Sequence, residues 1–250
     1  MGDIVVYTAV TGGRDELRPP LVIEKGTRYV CFTDQPTALK GRGWELVPVS
    51  QWSSLKDARS EARLVKVHPF TNQVAAEALA LIWVDGHIVP KISPRKIVEE
   101  HLLPYGHVAA FAHRERTCAY DEAACCHSLG LLTAKELVQC EALLERTRFP
   151  RGYGLHETGI LVWRPTVMTR SLMRYWFTYT AYAAWRDQVT FDMCCYLLGL
   201  KCRNLSPGNV KDNPYFEWYP HKPATEFVCP VTEKSSLPEP AAAEQPSSSS

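Results

Sequence analysis

The sequence predicts an α/β protein in which helices cover the two faces of a central sheet, giving three layers. Three observations lead there. Short, β-branched apolar runs alternate along the chain with amphipathic helical stretches, as strand–helix–strand units require. The most apolar run, residues 79–84, stops abruptly at Asp85-Gly86-His87, which reads as a buried central strand ending in a turn. Polar clusters at 8–15, 34, 85–87, 113–116 and 156–158 each fall at the C-terminal end of an expected strand. That edge is where open α/β sheets bind ligands.

Taken in order, residues 3–10 form a first strand that runs into a loop containing Gly12-Gly13, where backbone can approach a ligand closely. The loop matches neither a Walker motif nor GxGxxG. Residues 28–33 form a second strand ending at Asp34. Residues 44–49 form a third, at an edge, because Pro48 lacks a donor. Residues 53–68 read as a helix capped by Ser53 or Ser54 with Asp57 in its first turn. Arg59, Arg63 and Lys66 recur at i, i+4 and i+7 on one face, with Leu55, Ala58, Ala62 and Val65 expected opposite. Three cations without an interleaved acid suit a phosphate, and equally a solvated face.

After the central strand, residues 93–106 form a short helix with Ser93 as cap and Pro94 in its first turn. Residues 107–113 are a further strand, ending in His113, Arg114, Glu115 and Arg116. Helices follow at 118–130 and 133–149, the second opened by a Thr133–Glu136 capping box. A strand at 152–165 has His156 and Glu157 at its mouth. Helices at 166–185 and 186–200 come next, then a short strand at 201–205. Residues 207–222 read as loop whose aromatics pack back onto the body. From Ser235 the chain is almost entirely Ser, Pro, Ala and Glu and reads as disordered, and the domain is set at 1–222 with a mostly disordered tail at 223–250.

Composition narrows the function. The chain has 250 residues, 46% hydrophobic and 22% charged, which suits one large domain. A net charge of +1 argues against a nucleic-acid or anionic-membrane partner. No apolar run approaches about 18 residues, so no transmembrane helix is expected. The first apolar run follows no basic segment and includes Asp3, as a strand would and a signal peptide would not. Nine cysteines, an odd number without a Cys-x-x-Cys, argue against a disulfide framework and a thiolate zinc site, and point to a reducing cytosol.

Asp85 and His87 sit two apart, which on an extended backbone turns both to one side. Oxygen and nitrogen donors together suit a divalent cation such as Mn²⁺ or Mg²⁺. Asp-Gly is also an ordinary turn dipeptide, and this stretch alone leaves both readings open. His68, His101, His107, His127 and His156 read as solvated or satisfied.

The ordered set YTAVTGGRDEL, FTD, RSEARLVKVHP, WVDGHI, HRERTCAYDEA, GLHETGILVWR and RDQVTFDM resembles a glycosyltransferase-like family of bacterial and plant proteins. That family includes a mucilage-linked plant protein and one described as an alkaline ceramidase. The match spans about residues 4–222. More distantly it is similar to nucleotide-sugar transferases of the GT-A type, with a Rossmann-like mixed sheet. The resemblance implies that Thr8, Ala9, Thr11, Gly12, Asp15 and Asp34 hold the donor nucleoside, with UDP the first expectation. Arg59, Arg63 and Lys66 then face the diphosphate and ribose. Asp85 and His87 stand at the family's Asp-x-Asp position, with His replacing the second acid, and His221 is the late third metal ligand. His113, Arg116 and Glu122 match a charged segment, of which His113 and Arg116 count among the donor-binding residues.

Glu157, Asp187 and Gln188 would face the transferred sugar or an acceptor, which is a carbohydrate, lipid or protein. A carboxylate activates the acceptor hydroxyl in an inverting reaction, whereas a retaining one needs a group stabilising an oxocarbenium-like state. Glu157 and Asp187 stand as equal candidates. Three functions follow as expectations. The first is a Mn²⁺- or Mg²⁺-dependent glycosyltransferase. The second is a metal-dependent amide or ester hydrolase using Asp85, His87 and His221. The third is a catalytically silent nucleotide-binding module.

Overall fold

The computed structural model describes residues 3–13, 15–37, 40–49, 58–67, 78–183 and 186–221, apart from the side chain of Arg59. Six helices and nine strands are assigned among them. In chain order they are β1 (Ile4–Val10), β2 (Thr27–Thr33), β3 (Glu45–Pro48), α1 (Ala58–Val67), β4 (Ala80–Val84) and β5 (Ile88–Pro90). Next come α2 (Pro94–His101), β6 (Val108–Ala112), α3 (Ala119–Ser128), α4 (Ala134–Arg146) and β7 (His156–Trp163). The last are α5 (Val167–Tyr182), α6 (Asp187–Leu197), β8 (Arg203–Asn204) and β9 (Phe216–Trp218).

Seven strands form one sheet in the order β3-β2-β1-β4-β7-β6-β8. β4 is therefore central, and every residue in it is buried. Pairing is parallel throughout except for β7, which runs antiparallel to both β4 and β6. The result is a mixed, mostly parallel, Rossmann-like α/β sheet. Pro48 pairs on the outermost strand, where its missing donor leaves no ladder bond unmade on the open side.

Side-chain alternation along the strands builds two cores, one on each face. Tyr7, Phe32, Trp83, Leu161 and Trp163 pack against α1, α3, α4, α5 and α6. Ile4, Val6, Ile82, Val84 and Ile160 pack against α2 and a two-stranded sheet of β5 and β9. The second outer layer is thus only partly helical, which departs from the three-layer α/β/α expectation. β5 and β9 have three residues each and contain Pro90 and charged Glu217, too short and mixed to show a period of two. The aromatic segment around them does pack onto the body: Tyr215 and Phe216 are buried.

Local signals place several elements. Ser93 accepts from the Lys96 N–H, with Pro94 opening α2. Thr133 and Glu136 form the expected capping box of α4, and Thr166 with Thr169 forms another at α5. The start of the helix expected from residue 53, with its Ser53, Ser54, Leu55 and Asp57 signals, lies outside the described residues. So do His68, Trp185 and the boundary near 222. No helix among the described residues is long and apolar enough to cross a membrane. All eight described cysteines are free.

Candidate functional site

The C-terminal ends of β1 and β4, the first residues of β7, one side of α1 and the first turn of α6 enclose a cavity of about 600 Å³. β7 reaches it in an unexpected sense. Residues 156–158 begin that strand rather than end it. They come to the same edge because β7 alone runs against its neighbours.

At one side of the cavity Asp15, His87 and His221 gather, with one ligand atom from each within 4.8 Å of the others. Asp15 comes from the loop after β1, His87 from the turn between β4 and β5, and His221 from just beyond β9. Pairing of β5 with β9, extended by the Tyr219 N–H donating to the His87 carbonyl at 3.0 Å, carries His221 to His87. Their ring centroids are 4.0 Å apart, and His221 Nδ1 lies 2.6 Å from Asp15 Oδ1. Two imidazoles and a carboxylate suit Mn²⁺, Fe²⁺ or Zn²⁺ better than Mg²⁺, which prefers oxygen ligands.

The expected ligand set was Asp85, His87 and His221; Asp15 joins the two histidines in place of Asp85. Residues 85–88 form a turn closed by the Ile88 N–H donating to the Asp85 carbonyl, so strand alternation does not govern where residues 85 and 87 point. The Asp85 carboxylate instead accepts from the Trp83 indole at 2.9 Å and lies 3.8 Å from the Lys66 ammonium. Between the two acids, Gly86 leaves no room for a side chain. A Cβ there would sit 2.9 Å from the Ala9 carbonyl oxygen and 3.1 Å from Asp15 Oδ2. We therefore expect Gly86→Ala to displace Asp15 and weaken Mn²⁺ binding in calorimetric titration. Unchanged binding would separate Asp15 from the metal.

The opposite wall is an ion-pair cluster. Lys66 is buried, and its ammonium lies 2.5 Å from Asp187 Oδ2. Arg63 Nε is 3.5 Å from Asp187 Oδ1, and the Thr158 hydroxyl donates to Oδ2 at 3.1 Å. Burial pushes the Asp187 carboxyl up, but Lys66 and Arg63 outweigh it and hold the group well below the usual carboxylate range. Asp187 is therefore a committed anion and a poor proton acceptor near neutral pH. The helix face also differs from the expected one. At about 100° per residue, Ala58 and Ala62 lie beside the basic stripe rather than opposite it, and both line the cavity with Arg63 and Lys66. Val65 alone of the described stripe is fully buried in the core.

Gln188 lines the cavity from α6, and its amide nitrogen donates to Glu122 Oε1 at 2.9 Å. Glu122, buried on α3, accepts from Arg116 Nε at 2.6 Å, and Arg116 meets His113 Nε2 at 3.0 Å. Burial lowers the His113 pKa, and the adjacent Arg116 lowers it further. His113 and Arg116 thus do not line the cavity as donor-binding residues would. They brace Glu122, which orients Gln188.

Ala9, Thr11 and Gly12 line the cavity as expected. Gly12 takes φ +65°, and a Cβ there would stand 2.9 Å from that of Ala58, so backbone and α1 meet at a glycine. Asp34 is not a lining residue; its carboxylate accepts the Gly12 N–H at 2.8 Å and sets the loop. Thr8 is buried beneath the site. Glu157 is absent from the lining too. With Thr158 turned inward, alternation sends Glu157 to the other face, where it accepts the Val210 N–H at 2.7 Å. Its burial there raises its pKa.

Thr158, from the cluster expected at 156–158, also lines the cavity, as do Trp83, Leu131, Gly159 and Arg186, which had no expected role. Arg186 and Thr158 adjoin residues that the motifs did single out. Leu131 follows a helix and carries no such signal.

No protein-family model matches the chain, and no curated protein matches it. The fold and the cavity therefore define the class directly: a mixed, mostly parallel α/β domain with a cavity of about 600 Å³ at one edge of its sheet.

Proposed function

We propose that this protein is a metal-dependent glycosyltransferase of GT-A type that takes its sugar from a nucleoside diphosphate, UDP foremost, in a reducing, cytosolic setting. The observation that carries this reading is the placing of Asp15, His87 and His221 in one cavity with a glycine-bearing backbone loop and the cations of α1. Glycosyl transfer leaves negative charge on a diphosphate, and fixed cations at that point stabilise the departing group. A bound Mn²⁺ would neutralise the diphosphate as a Lewis acid.

The chain's own residues would divide the remaining work. Thr11 and Gly12 offer a close backbone surface to the nucleoside side of the donor. Asp187 holds Lys66 and Arg63 in place rather than taking a proton. Gln188, oriented by Glu122, faces the sugar. Asp85, held by the Trp83 indole through Oδ1 and with 39% of its side-chain surface exposed, is the carboxylate placed to meet an acceptor hydroxyl.

Calorimetry of UDP binding with and without Mn²⁺ tests this. Wild type should bind UDP at least tenfold more tightly with the metal, about 1.4 kcal/mol, and His87→Ala should remove the difference. Binding that ignores Mn²⁺ would overturn the reading. A hydrolase is the second reading, because two histidines and a carboxylate leave a tetrahedral ion one position for water. Release of fatty acid from ceramide, with no affinity for any nucleotide, would favour it.

A further inference from the structure

Three basic side chains line the cavity, and they are not equivalent. Lys66 and Arg63 are occupied by Asp187. Among the described residues no carboxylate is ion-paired with Arg186; its side chain hydrogen-bonds the Cys126 thiol, while its buried Nε has no hydrogen-bond partner. A guanidinium carries five donors in a planar fork matched to carboxylate or phosphate oxygens. A buried donor that is left unsatisfied costs stability unless a ligand completes it. Arg186 stands at the N-cap position of the eleven-residue α6 without a side-chain capping bond, beside the helix's first N–H groups, which have no partner within the helix.

Gln188, two residues on, supplies the second half of the pattern. Its amide nitrogen is committed to the Glu122 carboxylate, which can only accept. The amide orientation is thereby set, and the group left to meet a ligand is the carbonyl oxygen. An oxygen acceptor seeks a hydroxyl, and a guanidinium seeks an anion.

We infer that Arg186 and Gln188 together recognise a hydroxylated anion, so that the transferred or accepting sugar is a sugar acid or a sugar phosphate. The inference rests on the glycosyl-transfer reading for its place in a reaction, but not for the binding itself. The anion binds by the fork of Arg186, its neighbouring hydroxyl donates to Gln188, and Leu131 covers an apolar face of the ring.

The test compares full-length wild type, Arg186→Gln and Arg186→Lys, each first checked for a wild-type melting profile. Calorimetry with Mn²⁺ measures UDP-glucuronate against UDP-glucose, and thermal shift measures free glucuronate and glucose 6-phosphate against glucose. The expected result is a preference for the anionic ligand on the order of tenfold in wild type, abolished in Arg186→Gln and partly kept in Arg186→Lys. Response to glucuronate or to the phosphate identifies which anion is read. Preference in the free-sugar arm without affinity for UDP would uphold the inference and remove the nucleotide reading. UDP binding without discrimination between the two sugars, or discrimination equal in Arg186→Gln, would overturn the inference and leave that reading standing. No response in either arm would end both. If neither variant folds, Gln188→Leu replaces them, with the same loss of preference expected and retention overturning the inference.

Discussion

Asp187→Asn is expected to lower stability in urea denaturation by about 2–3 kcal/mol, less than the ~3–5 kcal/mol of a fully stranded buried charge, because Asp85 remains 3.8 Å from the Lys66 ammonium. Lys66 has 3% of its surface exposed. Its ammonium also faces the Trp83 and Trp176 rings, at 5.7 and 5.5 Å from their centroids. Those contacts cannot replace a counter-charge at 2.5 Å. Adding Lys66→Met to Asp187→Asn should recover much of the loss, since an apolar pair in place of a buried ion pair is often neutral or better. A single-variant cost under about 1 kcal/mol, or a double variant no more stable than the single, would show that the pair is not a buried one.

The pH dependence follows with a definite sign. The folded Asp187 carboxyl lies below its unfolded value of 3.8, so its stabilisation is present above that value and is lost as pH falls through the folded one. The gap between wild type and Asp187→Asn should hold from pH 7 to pH 5 and narrow only in stronger acid.

The second large effect separates two carboxylates. Asp15→Ala should reduce Mn²⁺ affinity by more than the ~10–100-fold typical of residues that merely support a ligand, whereas Asp85→Asn should leave it nearly intact. Electron paramagnetic resonance of free Mn²⁺ reads both. The opposite order would return the metal to Asp85 and the turn it begins.

Why the sequence pointed to Asp85 is instructive. Asp85 and His87 are neighbours in the chain, and a strand pattern carried across a turn makes them look like partners. Asp15 and His221 are 206 residues apart and meet at 2.6 Å through the pairing of two three-residue strands. No local period records such a contact. The strands that do carry a period, β1, β2, β4 and β6, lie within a residue or so of where their apolar runs put them. The direction of β7 was invisible for a different reason: a buried strand reads alike in both senses, and only its pairing with β4 and β6 reveals that its first residues serve the site. Glu157 shows how costly one step of parity is. It neighbours the cavity-lining Thr158, yet on a strand the next residue faces the far side. On α1 the small residues Ala58 and Ala62 lie beside Arg63 and Lys66 rather than opposite them, and all four line the cavity. That placement brings Ala58 up against Gly12.

His221 also fixes the order in which the site can be assembled during synthesis. A nascent chain could pair every strand of the seven-stranded sheet once residue 204 has emerged, since β8 is the last of them. It would still lack His221, the third of the side chains that gather with Asp15 and His87. Chains truncated shortly after that point should thus lack His221, and Asp15, His87 and His221 can meet only once residue 221 has left the ribosome.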